Sequence, residues 1–284
     1  MKNSILVTGS EGYIARHLKS LLPFTGYDLD GSPDIKDCIS NFENHMEKLE
    51  SIEVVIHLAE KRLQDINQDN LETEKEKHSQ FIEGLKKLPN LKKVIFASSC
   101  SVYGQNENLI DETSPVNLTS HYAESKHNTE ELLKSSGLRY VLLRFGTCYG
   151  GIKAARGDLF INQLSNSAIH QSEFEVFGAD AWRPYVHVVD FARTLSYFAK
   201  SKLVDKDPVN VSQTNLTKRQ ILEKVRDLGL SADSIKIRED KVDKRNYQIN
   251  SQKAIDYGVT FAYDFEKGLK QLIENIKNNS MPLI

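Results

Sequence analysis

Short, largely apolar runs recur through the first half of the chain, at 4–8, 24–29, 54–59, 93–97 and 140–145, and each is followed by a longer mixed segment. Brief apolar runs without polar alternation suit strands covered on both faces, and such strands belong to parallel sheets crossed over by helices. The alternation predicts an α/β fold with a Rossmann-type, doubly wound parallel sheet. After Gly150 the pattern loosens, with a helix expected near 158–167 and short strands around 174–177 and 185–188. Thr217 and Gln220 form a Thr-x-x-Gln capping box ahead of Ile221, Leu222, Val225 and Leu228, a helical stripe closed by Gly229. No repeat or low-complexity linker separates the halves, so a second substructure must be fed by crossovers.

Composition narrows the function classes. With 39% hydrophobic residues over 284 positions there is enough apolar surface for a substantial core. The 37 basic and 39 acidic residues nearly cancel, and no basic block offers a nucleic-acid footprint. No apolar run approaches the roughly 20 residues that cross a bilayer, and the first residues enter a strand-like run without a signal-peptide layout. A cytoplasmic protein with no membrane or nucleic-acid partner is expected. Cys38, Cys100 and Cys148 stand at wide spacings with no pairing or metal-ligand pattern, so reduced, buried thiols and no metal are expected. The polar stretch from Lys61 to His78 reads as a solvated loop leading onto a charged helix face, with no chemistry assigned to it.

Two local patterns carry chemistry. The first, Thr8-Gly9-Ser10-Glu11-Gly12-Tyr13-Ile14-Ala15, is a strand running through a glycine turn into a helix. Glycine is needed there for positive φ or for close approach of backbone to phosphate, and the helix start offers free N–H groups. Asp28, 19 residues beyond Gly9, ends the second strand, where a carboxylate accepts from a ribose and repels a 2′-phosphate. That favours NAD, with NADP as the alternative and Asp30 as a rival for the role. An ordinary tight turn with a solvated aspartate fits the glycines equally well.

The second pattern is Tyr-x-x-x-Lys, which puts phenol and ammonium on one helix face, where the ammonium can lower the phenol's pKa. It occurs three times, as Tyr122/Lys126, Tyr149/Lys153 and Tyr263/Lys267, so context must choose. Gly150-Gly151 breaks any helix after Tyr149, and Tyr263 lies far along the chain from the sheet's first half. Tyr122 opens a convincing helix after a strand ending at Ser98-Ser99, which places a hydroxyl at the carboxyl edge of the sheet. A hydroxyl, a phenol and a lysine around a nicotinamide permit hydride transfer at an alcohol carbon, with Tyr122 as acid/base.

Taken in order, Thr8-Gly9-x-x-Gly12-x-x-Ala15, Asp28, His57-Leu58-Ala59, Ser98 to Gly104, Tyr122/Lys126 and Leu143 to Gly150 resemble the extended short-chain dehydrogenases/reductases, the NAD-dependent epimerase/dehydratase group acting on nucleotide sugars. Arg183-Pro184-Tyr185-Val186-His187-Val188-x-Asp190 and Asp243-x-Arg245-x-Tyr247 resemble its later signatures. The resemblance implies a dinucleotide-binding domain over 1–150, with a segment near 186–212 returning to it, and a smaller, discontinuous C-terminal α/β subdomain over 151–284 for the nucleotide sugar. It implies that Ser99, Tyr122 and Lys126 are catalytic. Gly9, Gly12, Tyr13, Ile14, Asp28, Leu58, Ala59, Tyr122 and Lys126 would hold the cofactor, with Asp37 and Cys38 flanking its adenine. Ser99, Ser101, Tyr122 and Thr147 would meet the substrate, and Arg183 and Arg245 would clamp its diphosphate, a task suited to a planar, permanently charged guanidinium. A surface ion pair is the competing role for each arginine. A homodimer is also implied, the Tyr122 helix lying in its interface.

The chain departs from the group at several places. Thr147 stands where Asn is common, His121 where Pro is frequent and Pro184 where Asp is usual. Lys75-Glu76-Lys77-His78-Ser79 replaces an Asn-x-x-Gly-Thr helix start, and Glu60 replaces a small residue. Dehydratases of the group resemble one another in carrying acid after the catalytic Ser, which Cys100 and Ser101 cannot supply; 3,5-epimerases carry Cys where Ser101 stands. Cys100, one step off on a strand, is read as a packed thiol. What remains is redox at a sugar carbon, most often C4. Epimerisation through a transient 4-keto sugar is expected, a nucleotide 4-keto-sugar reductase is the alternative, and a non-catalytic dinucleotide or sugar-nucleotide sensor is the alternative of another class.

Overall fold

All four residues of Val54–His57 and all six of Tyr140–Phe145 are buried, as strands covered on both faces must be. In the computed structural model, which describes residues 3–151, 156–203, 206–240, 243 and 245–278, these runs are strands of one seven-stranded sheet. The elements of the first half are β1 (Ile5–Thr8), α1 (Tyr13–Leu18), β2 (Thr25–Asp28), β3 (Ile35–Lys36), α2 (Met46–Leu49), β4 (Val54–His57), α3 (Gln68–Lys86), β5 (Lys93–Ser99), β6 (Leu109–Ile110), α4 (His121–Ser135), β7 (Tyr140–Phe145) and β8 (Thr147–Tyr149). Those of the second half are α5 (Phe160–His170), β9 (Phe174–Phe177), β10 (Trp182–His187), α6 (Val188–Lys200), β11 (Val209–Val211), β12 (Thr214–Thr217), α7 (Lys218–Asp227), β13 (Ile235–Arg238), β14 (Gln248–Ile249), α8 (Gln252–Asp256) and α9 (Phe265–Lys277).

The large sheet runs β11-β7-β5-β4-β1-β2-β3, and β1 pairs in parallel with both β2 and β4. The chain therefore leaves β1 on one side to build β2 and β3, then crosses to the other side for β4 and β5. This reversal makes the carboxyl end of β1 a topological switch point, where open α/β sheets bind their ligands. The glycine turn follows β1 at that point.

The chain divides into two compact units of three segments each: 1–102, 118–144 and 192–209 in the first, 103–117, 145–191 and 210–284 in the second. Leu6, Phe42, Val55, Phe81, Phe96 and Leu142 lie in the first core. The second is built around Tyr149, Leu164, Val176, Tyr185, Ile221 and Leu269. The Thr217 box forms as expected: Thr217 Oγ1 accepts from the Gln220 N–H, Gln220 Oε1 accepts from the Thr217 N–H, and Ile221, Leu222 and Val225 are buried. No disulfide joins the three cysteines; Cys100 is buried, whereas Cys38 and Cys148 are half-buried, contrary to the expectation of three buried thiols.

Most of the stretch from Lys61 to His78 is exposed, a solvated loop leading onto a charged helix face as its composition suggests, but the helix also has an inward face. Asn67 caps α3 through a capping box with Asn70, and the helix turns Glu74 and His78 into the interior. Their burial is imposed by what α3 packs on, which charge composition does not report.

A buried network locks α4 to the sheet. Glu130 accepts from Ser98 Oγ at 2.5 Å, from Arg144 Nε at 2.9 Å and from the other guanidinium nitrogen at 2.6 Å. Burial opposes ionisation of Glu130, but Arg144, His127 and Ser98 outweigh it and hold the carboxyl down at about 2. A depressed carboxyl stabilises the fold above its unfolded pKa and loses that contribution as pH falls through the folded one. Acid titration of unfolding free energy is expected to show a loss of roughly 3 kcal/mol between about pH 4.5 and pH 2, absent in Glu130→Gln; identical slopes in both proteins would contradict the network.

Candidate functional site

The turn after β1 has room only for glycine. Gly9 sits at φ +68°, and a Cβ there would lie 2.9 Å from the Ala59 nitrogen. That nitrogen is itself fixed: Thr8 Oγ1 accepts from the Leu58 N–H at 3.2 Å and the Ala59 N–H at 3.3 Å, and lies 2.6 Å from His57 Nδ1. Having accepted twice, the hydroxyl has its one proton to donate to His57. Burial, then the charges of His78 and Lys126, hold the His57 pKa well below its ordinary value, so the ring stays neutral. The turn thus presses against a backbone ledge formed by the end of β4.

The acidic partner is in place. Asp28 ends β2, and one of its oxygens accepts from the Glu11 N–H at 2.7 Å, tying the strand end to the turn; the other accepts from the Leu29 N–H at 2.7 Å. The latter oxygen also accepts from the Asp30 N–H at 3.3 Å, so the oxygen bonded to Glu11 is the one that keeps a further lone pair. The first hydrogen bond of α1 runs from the Arg16 N–H to the Gly12 carbonyl, so the N–H groups of Tyr13 and Ile14 precede the helical ladder. The Tyr13 ring is buried against His17, whose Nδ1 lies 2.9 Å from the Tyr13 carbonyl. Asp37 and Cys38 follow β3, but the Asp37 carboxylate is occupied by His45 Nε2 at 2.9 Å, Asn41 Nδ2 at 2.8 Å and the Cys38 N–H at 2.7 Å. His45 and Asn41, against a small burial penalty, hold its pKa below the carboxylate range.

The Tyr122 pair sits where the helix register requires. Ser120 caps α4 by accepting from the Ala123 N–H, and Lys126, one turn after Tyr122, is buried with its Nζ 5.7 Å from the Tyr122 ring centre. Lys126 donates to the Ala97 carbonyl at 2.9 Å, which bolts α4 to β5 two residues before Ser99. Ser99 Oγ accepts from the Ser101 N–H at 3.1 Å, so its own proton is left to donate. Ser101 is buried, and its hydroxyl has no hydrogen-bond partner among the described residues. The rival copies are placed differently. Tyr149 is on β8 and Lys153 lies outside the described residues, while Tyr263 precedes α9, with Lys267 donating to the Ala262 carbonyl.

Thr147, Arg183 and Arg245 belong to the second unit. Thr147 opens β8, paired with Tyr185 of β10. Arg183 and Arg245 converge on one carboxylate: an Arg183 terminal nitrogen lies 2.7 Å and Lys218 Nζ 3.0 Å from Asp243 Oδ2, and Arg245 Nε lies 3.3 Å from Oδ1. Burial opposes ionisation of Asp243, but the three cations hold its pKa far below the ordinary value. Three cations around one carboxylate leave a local excess of positive charge suited to a polyanion. Lys218, the third of them, carried no signal in the sequence beyond its place after a capping threonine.

Two features missed by sequence reasoning complete the first unit. Glu60, noted there only as a departure, has a side chain 7% exposed that accepts from Ser125 Oγ at 2.8 Å and lies 3.2 Å from Lys126 Nζ. His78 Nε2 is 3.6 Å from the same carboxylate, and its Nδ1–H donates to the Glu74 carbonyl. Among the described residues, no cluster of His, Cys, Asp and Glu is built to hold a metal ion, and no helix is long and apolar enough to cross a membrane.

Comparison with known proteins bears on family and fold. The model of the NAD dependent epimerase/dehydratase family matches residues 5–212. A putative UDP-glucose 4-epimerase of Methanocaldococcus jannaschii is 25% identical across 97% of this chain and 99% of its own. Among solved structures, MoeE5 in complex with UDP-glucuronic acid and NAD is similar with a TM-score of 0.84 at 24% identity, covering 98% of this chain and 100% of that one. A dTDP-glucose 4,6-dehydratase of Bacillus anthracis in complex with NAD has a TM-score of 0.81 at 20% identity, covering 97% and 96%. Structures at this level of identity share the fold.

The cradle at Gly9 yields a direct test. Gly9→Ala adds a Cβ against fixed backbone at a positive φ and is expected to cost about 1–3 kcal/mol of stability. It should also weaken dinucleotide binding at least tenfold by calorimetry; wild-type affinity in the folded variant would contradict the placement.

Proposed function

The chain belongs to the NAD dependent epimerase/dehydratase family, and from that premise we propose that it inverts C4 of a nucleoside-diphosphate sugar through a transient 4-keto sugar. The observation that carries this reading is the set at the carboxyl end of β5. Tyr122 and Lys126 share one face of α4, Lys126 is bonded to the Ala97 carbonyl, and Ser99 has its proton free to donate.

The turn fits a dinucleotide. Gly9 leaves backbone space that a Cβ would fill, the helix start at Tyr13 and Ile14 suits a diphosphate, and one Asp28 oxygen has a lone pair for a ribose. Leu58, Ala59 and Lys126 complete the cofactor set, with Asp37 and Cys38 beside the adenine. The carboxylate at Asp28 favours NAD over NADP. Bound NAD supplies a hydride acceptor and donor. Tyr122 takes the proton from the sugar hydroxyl as the keto form develops and returns it as the inverted alcohol forms. Ser99 donates to the same oxygen, and the Lys126 ammonium stands beside the Tyr122 ring.

The absence of acid after Ser99 supports simple redox over dehydration. Cys100 is fully buried and donates to the Arg144 carbonyl at 3.0 Å, the behaviour of a packed thiol and not of a carbon acid–base group. In the second unit, Arg183 and Arg245 bind the diphosphate in exchange for part of their pairing with Asp243, with Lys218 as a third cation. Ser101 and Thr147 meet the sugar. Retention of the cofactor between half-reactions makes the enzyme an epimerase; uptake of reduced cofactor from solution and release of its oxidised form would make it a 4-keto-sugar reductase.

Two substitutions check the reading. Tyr122→Phe removes only the phenolic hydroxyl and is expected to lower turnover by roughly 100-fold or more while NAD stays bound; an unchanged rate with any nucleotide sugar the wild type converts would overturn the assignment. Arg245, at 36% side-chain exposure against 6% for Arg183, probes binding without disturbing the core. Arg245→Ala is expected to raise the KM for nucleotide sugar about 10-fold with little change in kcat, and an unchanged KM counts against the clamp.

A further inference from the structure

Beside the Tyr122–Lys126 pair lies a carboxylate that the chemistry above does not use. Glu60 follows β4, and its carboxylate is enclosed by two elements. Ser125 and Lys126 approach from α4, at 2.8 Å and 3.2 Å, and His78 approaches from α3 at 3.6 Å. Oε1 is fixed by the Ser125 hydroxyl. Oε2, buried, faces the ammonium as an ion pair without accepting a directed hydrogen bond.

A buried ammonium with only a carbonyl for company is costly, because a dipole does not replace lost hydration. One Lys126 N–H goes to the Ala97 carbonyl, and Glu60 Oε2 lies 3.2 Å from the same nitrogen. The Glu60 side chain is only 7% exposed, so the pair is poorly screened by solvent. Glu60 and His78 lie against each other across β4 and α3.

We propose that Glu60 is a positioning residue of the catalytic pair, holding the Lys126 ammonium in place and setting the alkaline limit of turnover. The proposal rests on the roles given above to Tyr122 and Lys126. Burial works against the charge on Lys126, but Glu60 first, with Tyr122 and Glu130 behind it, more than offsets this, and the amine's pKa is raised. In turn Glu60, against its own burial, is held below the usual carboxylate range by Lys126 and His78. The titratable groups facing this cluster are Tyr122 and Glu130 from α4, His57 from β4 and His78 from α3.

Glu60→Gln keeps the shape and the contact with Ser125 but removes the charge. With the offset gone, burial dominates and Lys126 releases its proton at lower pH. Two readouts separate this proposal from the reaction it rests on. The first needs no substrate: the 15N resonance of the Lys126 side chain, identified by its loss in Lys126→Met, is titrated in the wild type and the variant. Its midpoint is expected to fall by about one pH unit or more. The second is the pH dependence of kcat/KM, whose alkaline limb should move down by the same amount, with Glu60→Asp restoring it toward the wild type. A shifted resonance with an unmoved limb would make Glu60 a structural counter-ion only and overturn the proposal, as would an unmoved resonance. Should Glu60→Gln fail to fold, Glu60→Asp stands alone: the shortened side chain is expected to lower kcat about 10-fold with the limb near its wild-type position, and wild-type kcat overturns the proposal. An inactive wild type would leave the resonance test standing and condemn only the reaction.

Discussion

A buried ammonium is the constraint around which the first unit is arranged. Lys126 must be inside to lie beside Tyr122, and once inside it needs a full set of partners. The Ala97 carbonyl and the Glu60 carboxylate supply them from the ends of β5 and β4, so the lysine joins α4 to two adjacent strands. One turn farther along α4, Glu130 makes the opposite connection, a carboxylate held by Ser98 of β5 and Arg144 of β7. The helix is pinned by one cation and one anion, each satisfied by the sheet. The hydroxyl of Ser99 then emerges where the pinned helix meets the strand end.

The glycine turn follows the same logic on the other side of β4. Thr8 spends its hydroxyl on His57 and on two backbone N–H groups, and the ledge so formed excludes a side chain from position 9. Asp28 reaches back to the Glu11 N–H and closes the turn from β2. Neutral His57, fully buried between β1 and β5, avoids adding a second positive charge beside Lys126. In the second unit a different balance operates: Arg183, Lys218 and Arg245 share Asp243, which keeps buried cations paired and still leaves positive charge in excess.

Much of this was legible in the sequence because the signals are local. Strand runs, the Thr217–Gln220 box and the register of Tyr122 with Lys126 depend on neighbours within a few positions, and the structure reproduces them within a few residues. Choosing Tyr122 over Tyr149 and Tyr263 rested on helix-breaking glycines and the preceding strand, again local features. What escaped was set by distant contacts. Glu60 meets Ser125, 65 residues away, so nothing near position 60 announces its partners. Glu74 and His78 look solvated in a run of charges, yet they are buried because α3 packs on β4's side chains, His78 lying 5.2 Å from the His57 ring. Lys218 reads as the first residue of a capped helix, and only the fold brings it to Asp243.

The central claim, that this chain moves a hydride off and back onto C4 of a nucleotide sugar while NAD stays bound, is tested most directly by following an isotope. A nucleoside-diphosphate sugar carrying deuterium at C4 would be incubated with the purified protein, and the product examined by NMR and mass spectrometry. The account predicts a product inverted at C4 that retains its deuterium at C4. An inverted product that has lost the label to water would contradict hydride transfer. Label appearing in free reduced cofactor, with no inverted product, would contradict epimerisation.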